Sequence, residues 1–150
     1  MTIMFVCTGN TCRSVMAHYF AAKLAADRKL DIKVLSSGLE ADKGTPMPKA
    51  IKALFKRDGI PPVEHVPALT TGEMVKEADL ILAMTHAQKA KIAELYPEAK
   101  DKVHTLVEYA GFGRADVADP YGRDEIFYFE AYRLIKRAVE AAFNKIQEKK

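Results

Sequence analysis

Short apolar runs that alternate with stretches of helical spacing constrain this chain most. Residues 2–6 (TIMFV) are apolar almost throughout, as in a strand buried on both faces. Ala17, Phe20, Ala21 and Leu24 then recur at i, i+3, i+4 and i+7, one face of a helix. Residues 32–36 (IKVLS) predict a second strand, closing at Gly38. Pro48 fits the first position of a helix whose apolar face is Ile51, Leu54 and Phe55, with Gly59 just past its end. Pro61-Pro62 marks a loop, and Thr70 or Thr71 opens a short helix. Residues 79–84 (DLILAM) predict a central strand, and 86–95 (HAQKAKIAEL) a helix stopped by Pro97. Residues 102–106 predict a short fourth strand. A long helix follows over roughly 124–147, with Phe127, Ala131, Leu134, Ala138 and Ala142 on one face and Arg133, Lys136, Arg137 and Glu140 on another.

Alternation of this kind predicts an α/β fold: a four-stranded parallel sheet with helices on both faces and right-handed crossovers. No repeat or linker interrupts it, so residues 1–150 are expected to form one domain. A chain of this length buries roughly 68–70% of its unfolded surface and needs no disulfide or metal to hold a core. Ligands of such sheets bind beyond the carboxyl ends of the strands. The first strand ends at Val6, so residues 7–14 fall at that kind of place.

The segment VCTGNTCRSV, residues 6–15, holds both cysteines of the chain. A strand that turns into a helix aims several backbone N–H groups at one point, and the helix N-terminus adds about half a positive charge. Gly9 and Asn10 are residue types that readily take positive φ, as an anion-binding nest requires. Arg13 adds a planar fork suited to two phosphate oxygens. Neither GxxxxGK nor GxGxxG is present. Cys7 lies at the centre of this field, which favours a thiolate, and Ser14 can donate to it. An ionised nucleophile facing a tetrahedral-oxyanion pocket is the arrangement for attack on phosphorus. A cysteine six residues before an arginine also arises by chance, as a buried thiol beside a surface cation. The strand–turn–helix context with Gly-Asn inside it favours the catalytic reading.

Net charge is +3, and the lysines lie among acids on helix faces, so no nucleic-acid partner is expected. Two cysteines at 7 and 12 do not form a secreted disulfide framework. The run Ile3–Val6 is too short for a leader's apolar core, and no window approaches ~20 apolar residues. A cytoplasmic protein without a membrane partner is expected, with its thiols reduced. The histidines at 18, 65, 86 and 104 lie in separate segments without metal-ligand spacing, which predicts surface or structural roles. No metal or cofactor is expected. Tyr128 and Tyr132 read as packing residues of the last helix.

VCTGNTCRS resembles the signature of the low-molecular-weight protein tyrosine phosphatases, and ADPYG (118–122) resembles their general-acid loop. SSG (36–38) and ADLILAMTHAQK (78–89) are similar to further segments of that family, so the resemblance covers essentially the whole chain. One departure is Val15, where the family usually has proline; it removes no chemical group. The resemblance implies a protein phosphatase with a phosphocysteine intermediate. Cys7 is then the nucleophile. Arg13 and the loop Thr8, Gly9, Asn10, Thr11, Cys12, Arg13 and Ser14 bind the phosphate, and inorganic phosphate is the product. Asp119 is the general acid; without the resemblance, Asp-Pro reads equally well as a plain turn. Asn10, Ser14 and Ser36 are implied to support the loop. Cys12 is implied to form a reversible disulfide with Cys7, against the plainer reading of a small buried side chain.

Two substrates fit. Tyrosine phosphatases of the family usually carry Ile or Leu where this chain has Thr11, whereas its bacterial protein-arginine phosphatases carry Thr. CTGNTCRS, LAMTHAQK and DKVHTLVEYAG look like the arginine branch. LEADKGTP, after Gly38, lacks the aromatic that often lines a tyrosine pocket, and Glu40 is an acid that can face a guanidinium. Tyr121 can form one wall of the cleft. Phosphoarginine is the favoured expectation and phosphotyrosine the alternative. An arsenate reductase needs further relay cysteines that this chain lacks. A non-catalytic phosphopeptide module needs neither Cys7 nor Asp119.

Overall fold

The computed structural model describes residues 1–149. Strands β1 (Thr2–Cys7), β2 (Lys33–Gly38), β3 (Leu80–Ala83) and β4 (Val103–Thr105) form one all-parallel sheet in the order β2-β1-β3-β4. The α/β architecture expected from the alternation is therefore the one observed. Side chains of a strand alternate between faces, and β1 shows why both faces need cover. Ile3, Phe5 and Cys7 point into one core, with helices α1 (Arg13–Asp27), α2 (Lys49–Arg57) and α6 (Glu125–Glu148). Met4 and Val6 point into the other, with α3 (Gly72–Glu77), α4 (His86–Leu95) and the 3₁₀ turn Pro97–Lys102. A one-turn helix, α5 (Leu106–Tyr109), follows β4.

The chain leaves β1 towards β2 on one side and later returns to β3 on the other. The crevice at this reversal lies at the carboxyl end of β1, where open α/β sheets bind ligands. The loop 8–12 occupies it.

Local differences from the sequence reading have physical causes. Strand β2 runs on to Gly38 because Gly38 pairs with Cys7, and β1 correspondingly ends on Cys7 rather than Val6. Pro48 is the N-cap of α2, with φ −58° and ψ 143°, not its first helical residue. The buried stripe of α6 is Tyr128, Tyr132, Ile135, Val139 and Phe143 alongside the alanines, while Phe127 and Leu134 are half-buried. The tyrosines win the inner face because each buries a ring while the Tyr132 hydroxyl still reaches Asp58 at 2.7 Å. Lys136 joins the same carboxylate at 2.9 Å. No helix among the described residues is long and apolar enough to cross a membrane.

Candidate active site

Cys7 is the last residue of β1, and its side chain is 3% exposed. The Asn10 N–H donates to its Sγ at 3.2 Å, and the Ser14 hydroxyl lies 2.9 Å from the same sulfur. Of the two residue types in the loop that readily take positive φ, Asn10 is the one that does, with φ 54°, and Gly9 is not left-handed. Asparagine tolerates that conformation when its amide is bonded locally. Here Nδ2 donates to Ser14 Oγ at 2.8 Å, and Oδ1 accepts from the Ala68 N–H at 3.0 Å. Asn10 and Ser14 are fully buried.

The loop is held from both flanks of β1. Leu39 and Glu40 donate their N–H groups to the carbonyls of Cys7 and Thr8. Gly38 lies so close that a Cβ there would meet Thr8 O at 2.6 Å and Asn10 N at 2.8 Å, so only glycine fits without displacing the loop. From α4, Gln88 donates to Thr8 Oγ1 at 3.1 Å while its Oε1 completes a capping box with Thr85.

His65 braces the loop from behind, and His18 stands beside it on α1. His65 Nε2 sits 2.8 Å from the Asn10 carbonyl oxygen and 3.1 Å from Asn10 Oδ1. His18 Nδ1 meets Ser36 Oγ at 2.7 Å. Ser36 therefore bonds His18 among the described residues, whereas the resemblance implied that it supports the loop. Its neighbour on β2, Gly38, makes the close approach instead. Burial lowers His18 to about 4, with His65 adding to the shift, and burial also lowers His65. Nothing in the segment PPVEHVPA marks His65 as a loop brace; its partner lies 55 positions away. The only sequence signal was that so long a Pro-rich connection has to pack somewhere.

Arg13 opens α1, 7% exposed. Its Nη1 donates to the Val117 carbonyl at 2.9 Å and its Nη2 lies 3.7 Å from Asp119 Oδ2. Val117 is anchored in turn by its N–H to the carbonyl of Met84, just past β3. Asp119 is exposed, with Oδ1 accepting from the Tyr121 N–H at 3.1 Å. Cys12 is buried, and burial pushes its thiol up to about 11, with Thr11 and Tyr128 bonding in the opposite sense. Both cysteines are free thiols.

These groups share one cavity of about 290 Å³. Cys7, Thr8, Gly9, Thr11, Cys12 and Arg13 form its floor; Glu40 and Asp119, with Tyr121, form its rim. Asp42 and Thr45, which the sequence reading did not single out, complete the rim. Asp42 closes a tight turn by accepting from the Gly44 N–H at 2.9 Å. His86 and His104 stand outside the cavity. No group of three His, Cys, Asp or Glu side chains suited to a metal occurs among the described residues. A sulfur nucleophile, a guanidinium and a carboxylate around one small polar cavity can perform substitution at phosphorus.

The family model for low molecular weight phosphotyrosine protein phosphatase matches residues 2–150. A protein-arginine-phosphatase of Bacillus subtilis is 43% identical over 123 residues, 81% of each chain. A probable low molecular weight protein-tyrosine-phosphatase of Ralstonia nicotianae is 36% identical, covering 93% of this chain and 92% of its own. Among solved structures, the arginine phosphatase YwlE superposes with a TM-score of 0.91 at 34% identity, over 98% of this chain and 96% of that one. It was solved as a mutant with serine in place of cysteine, and that active-site serine is phosphorylated. The chain thus belongs to the low molecular weight phosphotyrosine protein phosphatase family and is a phosphatase of its cysteine-based type.

Proposed function

We propose that this protein removes phosphate from phosphoarginine residues of proteins. Cys7 Sγ attacks phosphorus in line, and the P–N bond breaks as the S–P bond forms. Arg13 and the loop amides hold the three equatorial oxygens. Asp119 gives its proton to the departing guanidino nitrogen, then takes one from the water that hydrolyses the phosphocysteine. Inorganic phosphate leaves, and the chemistry uses no metal or cofactor.

The observation that carries this reading is the pair of donors on Cys7 Sγ, Asn10 N–H and Ser14, with Arg13 and Asp119 across the same cavity. Support for arginine as the phosphate carrier comes from the walls of the cavity. Thr11 puts a polar side chain on its floor, and Glu40 and Asp42 give the rim two carboxylates, besides the proton donor Asp119, that suit a cationic guanidinium. The relatives named as protein-arginine-phosphatases agree with this choice. A second reading, phosphotyrosine, is favoured by Tyr121, 56% exposed, whose ring can stack on a substrate ring. We place the protein in the cytoplasm, where both thiols stay reduced, with phosphorylated proteins as partners and neither nucleic acid nor membrane.

Acid-quenching a turnover mixture and mapping the phosphate by mass spectrometry tests the mechanism. The phosphate is expected on Cys7, and Cys7→Ser should bind phosphate but not turn over, since a hydroxyl there stays protonated at neutral pH. Substantial turnover by Cys7→Ser would remove Cys7 from its role.

A further inference from the structure

Tyr19 lies on α1, half-buried, outside the cavity that holds Cys7. Its hydroxyl is 3.1 Å from Nδ1 of His65. The other ring nitrogen, Nε2, faces two oxygens of Asn10, the carbonyl and Oδ1. The orientation of the Asn10 amide follows from its partners, because the Ala68 N–H must meet an acceptor. Both atoms facing Nε2 therefore only accept, and Nε2 must carry the proton. In a neutral imidazole Nδ1 is then a bare acceptor, and the Tyr19 hydroxyl is the donor that meets it.

We infer that Tyr19 is a positioning residue: its hydroxyl locks His65 as the Nε2–H tautomer, and His65 in turn holds Asn10 in the left-handed conformation that organises the loop around Cys7. This rests on the reading of Cys7 as nucleophile. The relay has no gap. Tyr19 donates to His65, His65 to Asn10, and Asn10 both to Cys7 Sγ through its N–H and to Ser14 through Nδ2. Without the Tyr19 donor nothing opposes a proton on Nδ1, and only the Asn10 oxygens hold it on Nε2. A proton on Nδ1 leaves Nε2 presenting a lone pair to two oxygen atoms, and Asn10 loses one of the contacts that offset its unfavourable φ.

The Tyr19 ring is fixed by its own packing. It stacks on His18 at 4.3 Å between centroids and meets Phe55 edge-on at 5.8 Å. His18, stacked on that ring and bonded to Ser36, is the other titratable group of α1 near His65. Burial favours the neutral form of both histidines, so the position of the one imidazole proton matters at working pH.

Tyr19→Phe keeps the ring and its stacking and removes only the donor. Its kcat/KM on an aryl phosphate is compared with wild type from about pH 8 down through the pH at which His65 itself is seen by NMR to take its second proton, which burial sets below the ordinary histidine range. At the upper end the variant should be lower by about threefold to tenfold, the range of one net hydrogen bond. The ratio should climb towards one as pH falls and His65 takes a second proton, because an imidazolium donates from both nitrogens whatever stands at 19. A deficit that stays constant with pH, or none, overturns the proposal, since lost packing has no such titration. Nitrogen-15 NMR of the imidazole supplies a second reading that needs no turnover. Wild type should carry the His65 proton on Nε2, and Tyr19→Phe should raise its titration midpoint. A proton on Nδ1 in wild type overturns the proposal even if the variant does not fold. If wild type hydrolyses no phosphate ester, the proposed function fails, and the NMR still decides the tautomer.

Discussion

Arg13 reaches Asp119 across the cavity, with Nη2 3.7 Å from Oδ2, while its Nη1 holds the Val117 carbonyl at 2.9 Å. In the proposed mechanism the arginine that binds phosphate is thus also the clasp of the loop that carries the acid. One side chain would then link the binding of the oxygens to the protonation of the leaving atom, although Arg13 and Asp119 lie 106 positions apart in the chain.

Removing the acid should therefore cost most where a proton is most needed. Asp119→Ala is expected to slow a phosphoarginine or alkyl phosphate by roughly 10²–10⁴-fold, the usual contribution of a positioned acid. An aryl phosphate with an activated leaving group should lose much less. Steady-state rates across a series of leaving groups check this, and an equal loss on all of them argues against the acid role.

Cys12 is the last residue of the loop and is buried, its thiol held protonated by burial. Dilute peroxide should oxidise Cys7 to the sulfenic acid, which Cys12 then captures as a disulfide with loss of water. Inactivation should be reversed by a thiol reductant. Mass spectrometry that finds only sulfinic or sulfonic acid on Cys7 contradicts the protective role.

His18 makes stability depend on pH. Its pKa falls from the ordinary 6.5 to about 4 on folding, chiefly by burial. Between these values the unfolded chain binds a proton that the folded chain refuses. The stability is present in full above the unfolded pKa and is lost as pH falls towards the folded one. Thermal unfolding of wild type and His18→Gln, compared at pH 7 and pH 4.5, should show a smaller acid-induced drop in Tm for the variant. Equal drops would mean that His18 is not buried as a neutral ring.

What the sequence revealed was what lies close along the chain. The strand TIMFV, the CTGNTCRS turn and the helix after it form one contiguous unit, so Cys7, Asn10, Arg13 and Ser14 could be read together. Asp119 was legible through its motif rather than through its neighbours. The braces were not. Gln88 meets Thr8 across 80 positions and His65 meets Asn10 across 55, and no periodicity encodes such meetings. On α6 the difference is confined to Phe127 and Leu134, which are half-buried, while Ala131, Ala138, Ala142, Tyr128 and Tyr132 pack inward as the sequence implied. Hydropathy ranks Phe127 above Tyr128, but Tyr128 and Tyr132 are the rings that bury while their polar tips stay bonded or near the loop.

Thr11 tests the central claim most directly. It lines the floor of the cavity, 7% exposed, where a hydroxyl suits a polar guanidinium better than an apolar ring. Thr11→Ile keeps the β-branch, so the loop backbone should persist, and replaces that hydroxyl with a larger apolar group. The measurement is the ratio of kcat/KM for a phosphoarginine peptide to that for the matching phosphotyrosine peptide, in wild type and in Thr11→Ile. Wild type should favour phosphoarginine, and the ratio should fall in the variant. A wild-type preference for phosphotyrosine, or a ratio that does not move, would contradict the assignment of arginine as the phosphate carrier.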